Sequence, residues 1–216
     1  RTRILGMASH ATISAHRGSL EGWQNVAKAA RVNAEVEAIA PYIEGEGMLR
    51  VGQDLSGTLL RGILPEDEKT VSDIGQHIKT GTLESLKAGE YNIVLGWELA
   101  QALGVTPGDK LDLMIPTASI TPAGVLPRFR RFTVSGVFRV GMYEFDRGLV
   151  LIHLADAQAL YRMGEGVTGV RLKLHDMFKA PTVSRQLAET LEGVYYVNDW
   201  TRSHANFFRA VATEKV

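Results

Sequence analysis

Gly164-Glu-Gly166-Val-Thr-Gly169 has the spacing G-x-G-x-x-G. In a dinucleotide site that spacing lets backbone approach a pyrophosphate at a helix N-terminus. The chemistry requires a strand before the motif and a helix after it. Here the helical composition of Leu154 to Arg162 precedes it and the strand-like Val170 to Leu174 follows. The order is reversed, and Gly164 reads instead as the residue just past a helix end. No G-x-x-x-x-G-K-[ST] loop occurs to cradle phosphates. The 6 histidines are His10, His16, His77, His153, His175 and His204, and none forms H-E-x-x-H or a pair at helical ligand spacing. His10 and His16 share strand parity, but six residues of extended chain separate them by roughly 20 Å. Cysteine is absent, which excludes disulfides, thiolate metal sites and cysteine nucleophiles. There is no G-x-S-x-G, so a Ser-His-Asp set would have to assemble in space. No catalytic residue, no metal ligand set and no cofactor is expected.

The informative segment is Pro116-Thr-Ala-Ser-Ile-Thr-Pro-Ala-Gly-Val-Leu-Pro127, which carries no charge. It joins two strand-like runs yet exceeds the two to five residues usual for a hairpin loop. Its candidate binding residues are Pro116, Ile120, Pro122, Gly124, Val125, Leu126 and Pro127, followed by the basic Arg128, Arg130 and Arg131. Prolines restrict the unbound ensemble and lower the ordering cost of binding. Two readings stay open: a proline-stiffened connector folded onto its own domain, or a protruding partner-binding loop with a basic base that steers an acidic surface. Trp200, His204, Phe207 and Val211 fall on one face of a last helix, as core packing or, beyond the core, as a contact with a partner or membrane surface.

The elements that must position these residues follow from periodicity. Odd positions of Leu5 to Ala15 alternate as a half-buried strand, and Ser19 sits where an N-cap belongs for a helix over Leu20 to Arg31. Val36 to Val51 is β-rich but expected to break at Pro41 and at Gly45-Glu-Gly47. Asp54 to Leu64 reads as a strand ended by Pro65-Glu-Asp-Glu68, with helices predicted over 72–79 and 82–88. Then come a strand (91–95), a helix (97–103) closed by Gly104, strands over 110–115, 132–138 and 148–152, and a helix (154–162). An α/β ending completes the chain: a strand (170–174), a helix (182–191), a strand (194–197) and a helix from Asp199. With 24 basic and 24 acidic residues in 216, the net charge of +0 argues against a nucleic-acid binder. No apolar run approaches the ~20 residues that span a bilayer, and these residues are not expected to include a signal peptide. Beginning at Arg1, the chain reads as a piece of a longer protein.

Several runs in succession resemble one family: Leu60-Arg-Gly-Ile-Leu-Pro-Glu66, Ile93-Val-Leu-Gly96, Leu103-Gly-Val105, Pro107-Gly-Asp109, the proline-rich segment, Phe132-Thr-Val-Ser-Gly-Val-Phe138, Gly141 to Asp146 and Asp199-Trp200. The order is similar to that of the periplasmic domain of lipoprotein-releasing Lol permeases, the LolC/LolE family of ABC transporter subunits, closer to the LolC type. The resemblance implies an α+β, MacB-like periplasmic core: a discontinuous α/β porter-type unit (1–89 and 165–216) with an inserted, mostly-β sabre-type unit (90–164). It also implies one membrane span before the segment and three after it, in a bacterial inner-membrane protein. The implied task is non-catalytic: release of acylated lipoproteins, hand-off to the periplasmic chaperone LolA through a hook matching 116–127, and ATP hydrolysis by a separate cytoplasmic subunit, LolD, beside a second permease subunit. Within the resemblance Arg130 falls on a basic position at the hook's base, while Phe129 and Asp112 stand where a polar and a basic residue are usual. The alternatives are a MacB/FtsX-like extracytoplasmic domain that transmits motion, a LolE-like lipoprotein-binding subunit, or a soluble enzyme with a site assembled from distant residues.

Overall fold

A computed structural model describes residues 8–203, and for residues 117–121, 125–127 and 203 it describes the backbone alone. The strands are β1 (Ala11–Ala15), β2 (Val36–Val51), β3 (Asp54–Ile63), β4 (Ile78–Gly81), β5 (Asn92–Gly96), β6 (Lys110–Thr121), β7 (Gly124–Phe138), β8 (Leu149–His153), β9 (Gly169–Leu174) and β10 (Tyr195–Asp199). The helices are α1 (Trp23–Ala30), α2 (Pro65–Val71), α3 (Trp97–Leu103), α4 (Tyr143–Gly148), α5 (Leu154–Tyr161), α6 (Ala180–Thr190) and α7 (Trp200–Ser203).

The strands form one sheet in the order β10-β1-β9-β2-β3-β8-β5-β7-β4, and β6 joins β7 back to β2. That second pairing makes a closed circuit, β2-β3-β8-β5-β7-β6, which removes most free edges from this part of the sheet. Its core residues Leu49, Leu60, Ile93, Leu95, Leu113, Phe132, Val150 and Ile152 are fully buried in one cluster. The remaining flank, β10-β1-β9-β2, is antiparallel throughout. Ile13, Val170 and Leu172 on one of its faces pack with Val26 and Ala27 of α1 and with Val183 and Leu187 of α6. On its other face Arg171 of β9 meets Glu68 of α2 in a buried ion pair. Hydrogen bonds cross between 1–89 and 90–164 where β3 meets β8, β2 meets β6, and β4 meets β7. The two described ends meet at the β1–β10 pair, where Trp200 N donates to the His10 carbonyl at 3.1 Å.

The expected α+β class holds, and most local expectations do too, but several places differ for physical reasons. Leu20 is not helical: it forms a two-way backbone bridge with Val167 and is buried, so the helix starts at Trp23 with Gly22, not Ser19, as its N-cap. Strand β2 runs unbroken through Gly45 and Gly47. Those glycines serve close packing, because a Cβ at Gly45 would strike the Tyr161 phenol and one at Gly47 would lie 2.9 Å from Leu113 Cδ1. The strand over Asp54–Ile63 does end ahead of Pro65, but Pro65 also opens an unexpected helix: it occupies the first turn of α2, with Glu66, Asp67 and Glu68 complementing the helix dipole. The helices predicted over 72–79 and 82–88 shrink to short 3-10 turns over 74–77 and 83–85, because β4 between them pairs with β7. Past α5, Arg162 rather than Gly164 takes the left-handed cap, at φ 52°. The expected strand residues Leu5 to Met7 lie outside the described residues, as do His204, Phe207 and Val211 of the last helix. Trp200, which is described, is buried and donates from Nε1 to the Met177 carbonyl at 2.7 Å.

Candidate partner-docking site

The proline-rich segment is not an irregular loop. Strands β6 and β7 continue through it as a two-stranded arm, pairing Ala118 with Pro127, Ser119 with Leu126, Ile120 with Val125 and Thr121 with Gly124. Sequence rules missed the strands because three prolines argue against a sheet interior. An arm two strands wide has outward edges on both sides, where a missing N–H costs no ladder bond. Pro116 sits at a register shift between Ile115 and Ala118, and Pro122 opens the Pro122-Ala123 turn, whose φ it presets. Gly124 follows at φ 115°, which a residue with a Cβ rarely adopts. Pro116, Pro122, Ala123 and Gly124 are exposed. The side chains of Ile120, Val125, Leu126 and Pro127 lie outside the description, and their backbone register is what places them on the arm.

The arm leaves the body at a defined point. β6 pairs with β2 through Met114, Leu113 and Asp112, opposite Met48, Leu49 and Arg50. Past Ile115 its partner strand among the described residues is β7 alone.

At the base, the three arginines divide by strand parity. Arg128 lies opposite Ile115 and Arg130 opposite Leu113, whose side chains are buried. Arg128 is half-buried and donates from Nη1 to the Leu160 carbonyl of α5 at 3.2 Å, tying the arm to the body. The exposed Arg130 lays its guanidinium 3.7 Å over the Tyr91 ring, which in turn stands edge-on to Phe132. Phe129 and Arg131 face the other way, opposite Met114 and Asp112. Phe129 is 65% exposed. The Asp112 carboxylate accepts from Arg50 Nη2 at 2.9 Å and from Arg131 Nε at 3.3 Å. These contacts, that from Arg50 first, hold its carboxyl below the ordinary aspartate range despite a burial penalty. Asp112 thus binds two cations together where the resemblance implied a third. Arg50, from a strand far away in sequence, is a base residue that sequence reasoning did not find. The signal that could have found it is a β2–β6 pairing no local pattern reveals.

The other candidates have structural roles. A Cβ at Gly166 would come within 2.7 Å of Ser19 Oγ, and one at Gly169 would strike the Ile13 carbonyl, so Gly166 makes room for the Ser19 and Glu21 side chains and Gly169 permits close backbone approach. His153 caps α5, its Nδ1 accepting from Ala155 N at 3.0 Å, and burial pushes its imidazole pKa down. His10 Nδ1 accepts from Leu174 N at 2.9 Å, and burial and then Lys173 lower its pKa. Among the described residues no group of three His, Asp or Glu is placed to hold a metal, and no helix is long and apolar enough to cross a membrane.

The MacB-like periplasmic core domain family matches residues 4–190. The lipoprotein-releasing system transmembrane protein LolC of Xylella fastidiosa (strain 9a5c) is 47% identical over 215 residues, covering 100% of this chain and 52% of the relative. LolC of Neisseria meningitidis serogroup B is 38% identical over 216 residues, again covering 100% of this chain and 52% of the relative. The periplasmic region of MacB from Actinobacillus actinomycetemcomitans superposes with a TM-score of 0.58 at 14% identity, over 94% of this chain and 95% of that one. The chain spans about half the length of the curated relatives it matches.

Proposed function

Because the chain belongs to the MacB-like periplasmic core domain family and is of the LolC type, we propose that it is the periplasmic part of an inner-membrane ABC permease subunit that releases lipoproteins, and that its β6–β7 arm recruits the chaperone LolA. In this reading the domain has no active site. ATP hydrolysis belongs to a cytoplasmic subunit such as LolD, and a second permease subunit completes the transporter. Residues 1–89 and 165–216 serve as a porter-type unit and 90–164 as a sabre-type unit that presents the arm.

One observation carries the reading. The arm is a long, uncharged hairpin whose strands past Ile115 pair, among the described residues, only with each other, so a tight turn could replace its contribution to the body's ladder. A segment that the body's sheet does not pair with is free to serve a partner. The apolar residue types at the tip would supply the desolvated centre of such a contact. Arg130 and Arg131, both exposed, would form a rim acting mainly on association rate.

The test removes Thr117 to Leu126, closes β6 onto β7 with a two-residue turn, and titrates purified LolA against both proteins. Unchanged circular dichroism and a stability change within about 0.5 kcal/mol are expected, together with loss of LolA binding. Equal affinity for both folded proteins would mean that the arm is only a connector.

A further inference from the structure

Beside the base of the arm, a groove of about 730 Å³ lies on the outer face of the sheet. Its floor is built from three strands in register: Gly57 of β3 opposite Met48 of β2, and Met48 opposite Met114 of β6. Leu59 and Pro116 extend the apolar lining. Met48 is 40% exposed, and a Cβ at Gly57 would meet nothing within 4 Å, so open space lies directly above that glycine.

We propose that this groove holds an acyl chain of a lipoprotein in transit, an inference that rests on the lipoprotein-release reading above. Three features select that occupant. First, the groove lies over strands whose backbone is in use: β2 at Met48 is paired on both sides, and so is β6 at Met114. A peptide laid over them would leave its own N–H and C=O groups unpaired, which is costly, whereas an acyl chain has none. Second, flexible, polarisable methionine side chains adapt to a chain of no fixed shape. Third, among the described lining residues the charged side chains are the carboxylates Glu46 and Glu144. They repel a fatty-acid carboxylate or a phosphate headgroup and accept a chain joined through a neutral ester or amide, as in an acylated cysteine.

The test uses this chain with its methionine methyls carbon-13 labelled and a triacylated cysteinyl peptide carrying a nitroxide on one acyl chain. Saturable broadening of the Met48 and Met114 methyls is expected, with the core-packed Met163 and Met177 methyls unaffected. Gly57→Trp, which fills the space above the floor, should weaken the contact about tenfold or more. Should that variant not fold, Met48→Lys at the exposed site serves the same purpose. Nitroxide-labelled stearate should bind more weakly than the peptide and gain affinity in Glu46→Gln/Glu144→Gln. Equal broadening of all methionine methyls, or unchanged affinity in a folded Gly57→Trp, overturns the proposal. So does perturbation of Met48 and Met114 by the unacylated peptide, which would assign the groove to a polypeptide, or displacement of the probe by phosphatidylglycerol as readily as by acylated peptide, which would assign it to bilayer lipid. The arm-excised variant retains Met48 and Met114, so LolA docking and acyl contact can fail independently.

Discussion

Asp112→Asn separates structural charge from docking charge at the base of the arm. The side chain of Asp112 is 11% exposed, but its partners Arg50 and Arg131 are 49% and 68% exposed. Each pair is therefore largely screened by solvent and worth about 0.2–1 kcal/mol. Losing both charge-assisted bonds should cost about 0.4–2 kcal/mol in total. At about 2–4 °C per kcal/mol for a chain of this size, a fall of a few degrees in Tm is expected. The pH dependence has a definite sign. The folded carboxyl titrates below its unfolded value, near ~3.9 for a free aspartate. Its contribution is fully present above that value and disappears as pH falls through the folded one. Urea unfolding should thus give a gap between wild type and variant at pH 7 that closes on acidification below about pH 4. The gap should also shrink between physiological and about 1 M salt. In the same variant two arginines lose their shared anion, so association with an acidic partner should accelerate while dissociation changes little. A gap of equal size at pH 7 and pH 3, or none at pH 7, would refute the assignment.

Two further substitutions probe the packing and charge of the body. Gly45→Ala drives a methyl into the Tyr161 phenol and should destabilise by about 1–3 kcal/mol in thermal melts; because burial pushes the Tyr161 phenol pKa up to about 12, a displaced ring should also titrate earlier in an ultraviolet pH titration. Arg171→Met leaves the Glu68 carboxylate buried without its cation and should cost about 3–5 kcal/mol in chemical denaturation, most of which Glu68→Leu in the same chain should restore.

Elements fixed by nearby residues were legible. Trp97 to Leu103 ends at Gly104, which adopts φ 67°, because a left-handed cap is a local demand met by a local residue. Elements fixed by distant partners were not. Nothing around Ile78 announces that β4 pairs with β7, and nothing around Gly45 announces that Tyr161 will pack on it. Pro65 shows the same limit in another form, since proline both ends strands and opens helices, and the acids behind it fit a turn or a first helical turn equally.

The proposed docking arm was legible in composition and illegible in geometry. Absence of charge and the framing prolines marked 116–127, yet those prolines concealed that the segment is a pair of strands. Once it is a pair of strands, period-two alternation determines the rest: Arg128 must point with Arg130 and away from Arg131, so three neighbouring arginines cannot act as one basic patch. Arg128 anchors to Leu160, Arg130 stacks on Tyr91, and Arg131 shares Asp112 with Arg50. The methionine groove lies deeper still, since its floor takes Met48, Gly57 and Met114 from separate strands, and a sequence reading that treats each strand alone sees one ordinary residue three times. The same register that sets Met48 against Met114 sets Met114 against Phe129. Any tilt of the arm's base must therefore move the groove's floor, and a partner that grips the arm would alter the proposed acyl site without touching it.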